Sequence, residues 1–246
     1  MLQRILSPFR EFGPWAGALY AIDRMLQTLS ARTRLQYYEL VVQPVPATPL
    51  VPERFTRRLE FREIKRGDPA LDLMPALPEI RAARFDQGAF CLGAFQQGKL
   101  IGYVWFCERA YDEDEVRCTY ELVSPRNCVF DFDLYILPEY RLGMAFASLW
   151  TGANELLRRR GVDFTFSRMT RFNLASRRAH KHLGSVRIGR AVFLRAWQLQ
   201  LMIATQSPYV HCSASRLQRV HLRVAPPAPA RNQAGTGATD KPTLRV

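Results

Sequence analysis

The chain has no Cys-x-x-Cys pair, no lysine-rich run and no aromatic-basic repeat, and nowhere does it reach the roughly 20 consecutive apolar residues of a membrane-spanning helix. Each gap excludes something. The five cysteines, Cys91, Cys107, Cys118, Cys128 and Cys212, are an odd number at wide spacing, so no zinc site is expected and no metal cofactor is implied. Most sit in apolar, strand-like contexts and read as buried, reduced thiols. The start, MLQRILSPFREFGPW, lacks the long apolar core of a secretory signal. Reduced thiols and no such signal point to the cytoplasm. The arginines are dispersed, so nucleic acid is not an expected partner.

What is present is a basic, fairly apolar chain. Its 246 residues are 48% hydrophobic and carry a formal net charge of +13. That length and composition suit one sizeable core with appendages. The charge favours anionic partners as a class: nucleic acid, which the dispersed arginines do not single out, an acidic membrane surface or a phosphorylated cofactor.

Residues 15–31 place Leu19, Ile22, Met25, Leu26 and Leu29 at helical spacing. This reads first as a helix docked on the main body. Arg24, Arg32 and Arg34 beside it also suit a peripheral membrane contact. A strand-like run follows at 35–45. Four prolines between Pro44 and Pro52 then forbid regular structure and mark a linker. Residues 1–57 are therefore expected to form an extra segment of helix, strand and linker, which could also serve a homodimer.

From 58 to 204 the expected order is strand, broken helix, a hairpin across 89–110, an edge strand at 118–123, a strand at 128–137, a helix at 143–160, a strand at 162–169, a helix at 174–183 and a final hairpin. Gly161 and Gly184 end the two helices, as glycine does at C′. This is a mixed α+β fold, a mostly antiparallel central sheet flanked by helices. Residues 205–246 are basic and then rich in Pro, Ala and Gly. The first part could form a strand, and the rest is expected to be largely disordered.

The chemistry concentrates in LPEYRLGMAFASLW, 137–150. A strand passes through a glycine-containing turn into a helix, which leaves free N–H groups at the helix start. With the helix dipole they favour a phosphate. Gly143 lacks the Cβ that would block close approach, Ala145 and Ala147 keep the first turn narrow, and Arg141 can add a charge-assisted contact.

Here the chain resembles the GNAT superfamily of N-acyltransferases. That family's acyl-CoA loop has the form Gln/Arg-x-x-Gly-x-Gly/Ala after a strand. In this sequence the strand ends Ile136-Leu137-Pro138, and the loop reads Tyr140-Arg141-Leu142-Gly143-Met144-Ala145. Gly143 and Ala145 fit, whereas Tyr140 stands at the first position and Arg141 is displaced by one. Downstream, Asn173 and Gly184 fit the family pattern, and His180 replaces its tyrosine.

The resemblance implies acyl transfer, in the first instance of acetyl, from acetyl-CoA or another acyl-CoA to an amine, by direct attack in a ternary complex. Leu134, Tyr135, Ile136 and Leu137 would line the acyl-CoA strand and supply an N–H to the carbonyl oxygen. Asp131, Asp133 and Glu121 are candidate bases for the amine proton. His180 could return a proton to the departing thiolate. Asn173 would contact CoA. The acceptor could be a small molecule or a protein amine. Two alternatives stay open: a donor with a longer acyl chain, on CoA or an acidic carrier protein, and a non-catalytic CoA-fold module that binds an anionic surface or partner.

Overall fold

The computed structural model describes residues 9–123 and 127–226. Twelve strands and four helices alternate along these residues: α1 (Pro14–Leu29), β1 (Thr33–Pro44), β2 (Leu59–Ile64), α2 (Pro78–Asp86), β3 (Phe90–Gln96), β4 (Lys99–Cys107), β5 (Ala110–Asp112), β6 (Cys118–Leu122), β7 (Cys128–Ile136), α3 (Ala145–Arg159), β8 (Phe164–Thr170), α4 (Leu174–His182), β9 (Val186–Ala196), β10 (Leu199–Ala204), β11 (Val210–Ser213) and β12 (Val220–Val224). The fold is mixed α+β. A nine-stranded sheet has the order β11-β10-β9-β1-β8-β7-β4-β3-β2. Its neighbours pair antiparallel except β7 and β8, which are parallel. A second sheet has the order β12-β6-β5.

The strands are built from residues that suit burial on both faces. In β4, Ile101, Val104 and Phe106 pack on one side, while Tyr103, Trp105 and Cys107 pack on the other. The first side is covered by α3, whose Leu149, Trp150, Ala153 and Leu157 are all buried. Spacings of one, three and four bring these residues onto one stripe. Fully burying each of the large ones is worth roughly 1.5–3 kcal/mol. Gly152 lets the helix descend, since a Cβ there would lie 2.4 Å from the ring of Phe61 on β2. The opposite side is covered by α2, whose Phe85 meets Trp105 edge-on, and by the small sheet, whose Tyr111 and Tyr120 stack on Phe130.

Two expectations are corrected. The strand expected in a segment apart from the core, β1, lies between β8 and β9 in mid-sheet. Its run Tyr37–Gln43 is buried throughout, on both faces, which is the pattern of an interior strand rather than an edge. The run at 118–123 does not extend the main sheet, because β6 pairs with β5 and β12. The first part of 205–246, which could form a strand, forms two: β11 adds an edge to the main sheet and β12 pairs parallel with β6. Alternating burial of Val220, Leu222 and Val224 explains the latter. Residues 227–246 lie outside the described residues.

Candidate active site

β7 and β8 start side by side and then part. Their parallel register covers only Cys128↔Phe164, Val129↔Thr165 and Phe130↔Phe166. Beyond Phe130 the β8-facing edge of β7 has no strand beside it, so its backbone groups are open to whatever enters the gap. Leu137 N–H bonds to Ile101 O on β4 at 3.0 Å. Alternation then turns the N–H of Leu134 and Ile136 to the gap. The carbonyl of Ile136 already points that way, accepting from Arg141 Nε at 2.9 Å.

A cavity of about 510 Å³ fills this opening. Leu134, Tyr135, Ile136 and Arg141 form one wall, Phe146 of α3 the second, and Asn173, Ser176, Ala179 and His180 of α4 the third. A smaller hollow of about 170 Å³ continues inward, past Leu134, Asn173 and His180, to Asp131 and Ser167. α4 is held there by Arg177, whose Nε donates to Glu39 of β1 at 2.7 Å.

The two helices at the cavity begin differently. Asn173 caps α4, its Oδ1 accepting from Ser176 N–H at 3.0 Å. No side chain caps α3. Its first satisfied N–H is that of Ser148, which bonds Met144 O at 2.8 Å. Among the described residues, the N–H groups of Leu142, Gly143, Met144, Ala145, Phe146 and Ala147 have no hydrogen-bond acceptor. An uncapped start carries the positive end of the dipole and a row of donors, which suits a phosphate. Nothing lies within 4 Å of the place a Gly143 Cβ would occupy, so the chain's own packing does not demand glycine there. Arg141 stands beside this row, its guanidinium 5.0 Å from the centre of the Tyr135 ring.

Asp131 sits at the inner end, 3% exposed. Burial pushes its carboxyl up to about 7, and the hydroxyls of Thr165 and Ser167 draw it back in part. Among the described residues its Oδ1 has no hydrogen-bond partner. A buried carboxylate that titrates near neutrality, with one oxygen unused, can accept a proton.

The structure separates the other candidates. Asp131 and Asp133 do not share a face. The ladder with β4 shifts between Tyr103 and Trp105, and Asp133 takes φ 45°, so one residue is inserted as a bulge and the alternation reverses. Both line the smaller hollow, but Asp133 pairs with Arg84 of α2 and lies 3.4 Å from Tyr103 Oη. Arg84 also holds Asp114 at 2.5 Å, so Asp133 is engaged as a structural anchor. Glu121 lies on the small sheet, where it meets His221 Nδ1 at 2.6 Å, and it lines neither hollow. Tyr140 and Leu137 line a different hollow, beside Arg62 and Leu100. Leu142 is fully exposed.

His180 does reach the cavity, but its chemistry differs from the expected acid. It is 5% exposed and packed edge-on between Phe146 and Trp150. Burial lowers it to about 4, so it is neutral at pH 7. Its Nδ1 lies 3.1 Å from Gln43 Oε1, which engages that nitrogen and leaves Nε2 as the free one. Gln43, Thr165, Ser167, Phe146 and Ser176 were missed in the sequence. Gln43 comes from a strand far away in the chain and is paired with Thr165 only by sheet register, so no local signal marks either.

No family model matches the chain, and no curated protein matches it. Among solved structures it is similar to a tandem GNAT protein from the clavulanic acid biosynthesis pathway, at 18% identity over 66% of this chain and 53% of that one, with TM-score 0.45. It is also similar to a putative GNAT-family acetyltransferase from Novosphingobium aromaticivorans, at 14% identity over 65% of each chain, with TM-score 0.44. A third is yncA, a putative acetyltransferase from Salmonella typhimurium solved with acetyl-CoA, at 20% identity over 52% of this chain and 79% of that one, with TM-score 0.38. The chain thus spans about half the length of the first.

Proposed function

We infer that this chain is an acyl-CoA-dependent N-acyltransferase of GNAT type. The observation that carries the reading is the parted pair β7 and β8, opening beside a helix start with no cap of its own. A ligand with a phosphorylated end and a long polar arm fits that layout. The pyrophosphate of acetyl-CoA, or of another acyl-CoA, would take the free N–H groups from Leu142 to Ala147 and the guanidinium of Arg141. The pantetheine arm would lie along the open edge of β7 as an added strand.

In the proposed reaction a neutral amine attacks the thioester carbonyl carbon. The new N–C bond forms and the C–S bond breaks. The N–H of Leu134 or Ile136 faces the oxygen as its charge grows. The amine proton passes to Asp131, directly or through water, and CoA leaves as its thiolate, which takes a proton from solvent. His180 acts as a neutral wall and acceptor rather than as an acid. The acceptor is an amine, on a small molecule or a protein, and the setting is the cytoplasm.

Thermal unfolding with acetyl-CoA tests the binding step. Ligand at 100 times its Kd should stabilise by about 2.7 kcal/mol, raising Tm by several degrees, and thiol should be released once a competent amine from a panel is supplied. An unchanged Tm at millimolar acetyl-CoA and millimolar longer acyl-CoA overturns the reading.

A further inference from the structure

One apolar surface is not used by this chemistry. α1 lies across β1, where Asp23 Oδ1 accepts Leu35 N–H at 2.9 Å and Tyr20 meets Phe172, beyond the end of β8, edge-on at 5.1 Å. Tyr20 therefore marks the β8 flank of the helix, and Leu19 and Leu26 the flank toward β9. Just outside that flank runs a stripe at spacings of seven, Trp15, Ile22 and Leu29, with Met25 beside it; Trp15 is 72% and Leu29 74% exposed.

The sheet continues the stripe. Register places Leu35, Leu194, Leu201 and Cys212 in one row across β1, β9, β10 and β11, and Tyr37, Val192, Ile203 and Val210 in the next. Leu35 and Tyr37 are buried, while Leu194, Leu201, Ile203 and Val210 are exposed. Side chains of this size at these exposures present on the order of 1,000 Å² of apolar area, above the ~300–600 Å² of the largest patch on a typical monomer.

Charge identifies the occupant. No acidic residue occurs between 186 and 213, and between 14 and 36 the only one is Asp23, which is buried. Arg24, Arg32 and Arg190 stand exposed in these elements. Trp197, at the tip of the β9–β10 hairpin, is exposed, and its N–H reaches Arg32 O at 3.4 Å. Apolar side chains with tryptophan and arginine at the margin match the boundary of an anionic bilayer. A second copy would set another charge of +13 against the first. Among the described residues no helix is long and apolar enough to cross a membrane, so the contact lies on the surface.

We propose that α1 and the outer face of β9, β10 and β11 form a docking surface for an anionic lipid bilayer. Flotation with phosphatidylcholine vesicles, with and without phosphatidylglycerol, tests it. The full chain should float with the phosphatidylglycerol vesicles and not with phosphatidylcholine alone. Met25→Glu with Leu29→Glu, and separately Leu201→Glu with Ile203→Glu, should each weaken binding about tenfold or more while keeping wild-type Tm and acetyl-CoA response. Arg32→Glu with Arg190→Glu keeps the apolar face and should remove the response to phosphatidylglycerol. Undiminished flotation of the well-folded apolar variants overturns the proposal. So does a wild-type dimer that these substitutions dissociate and that floats with neither vesicle, because the face then belongs to a second copy.

Discussion

Asp131 and His180 line the same hollow, yet burial makes them pull stability in opposite directions with pH. The Asp131 carboxyl rises from 3.8 to about 7. Between those values the folded protein keeps a proton that the unfolded chain has released, so this group's contribution falls as pH rises. At 1.36 kcal/mol per pKa unit the fall is on the order of 4 kcal/mol. His180 drops from 6.5 to about 4. Between those values the unfolded chain binds a proton that the folded protein refuses, so this contribution rises with pH, by on the order of 3 kcal/mol. In the wild type the two largely offset. Asp131→Asn should therefore expose a stability that climbs between about pH 4 and 6.5, and His180→Gln one that declines between about pH 4 and 7. Above pH 7 the Asp131→Asn protein should be the more stable of it and the wild type. Urea unfolding followed by tryptophan fluorescence across this range measures both slopes. Slopes of the same sign, or either variant parallel to the wild type, would refute the assignment of these two buried groups.

Gly143→Val should leave Tm within about a degree or two, since nothing packs where its side chain would go, and should weaken acetyl-CoA binding about tenfold or more by calorimetry as the ligand's approach is blocked. Arg141→Ala removes a charged donor from the phosphate row and the bond to Ile136 O; a loss of about 1.5–3 kcal/mol in acetyl-CoA affinity is expected. Arg84→Ala strands Asp114 and Asp133 and should cost about 3–5 kcal/mol in urea unfolding. With Asp133 as anchor rather than base, Asp133→Asn should keep the pH dependence of thiol release, which Asp131→Asn should abolish.

The loop and its helix were legible in the sequence because their signal is local. Gly143 and Ala145 at the start of an apolar-striped helix mark the turn, where the anion site is proposed. The strand pair 89–110 was legible for the same reason, a short polar turn between two apolar runs. What escaped depends on register between distant strands. Asp131 and Asp133 looked equivalent at a spacing of two, and only the bulge at Asp133, beside the ladder with β4 and the grip of Arg84, separates the proposed base from the anchor. His180 read as a proton donor to the thiolate, because the aromatic rings that bury it come from α3 and leave no local signal. The place of β1 left one unused clue: its apolar residues run consecutively rather than alternating, as a strand covered on both faces requires.

That position of β1 also governs the order in which the chain can become itself. The strand leaves the ribosome well before its two neighbours, β8 and β9, which supply partners such as Thr170 for Tyr38 and Phe193 for Gln36. Until β8 and β9 have been synthesised, its two sheet neighbours are missing. A twelve-residue strand with apolar side chains on both faces, Tyr37, Tyr38, Leu40, Val41 and Val42, must wait through that interval with its backbone groups open. Late closure of such long loops slows folding, and an exposed strand of this kind recruits other chains. Yield of the folded protein should thus depend on translation speed, temperature and chaperone supply more than its finished stability would suggest.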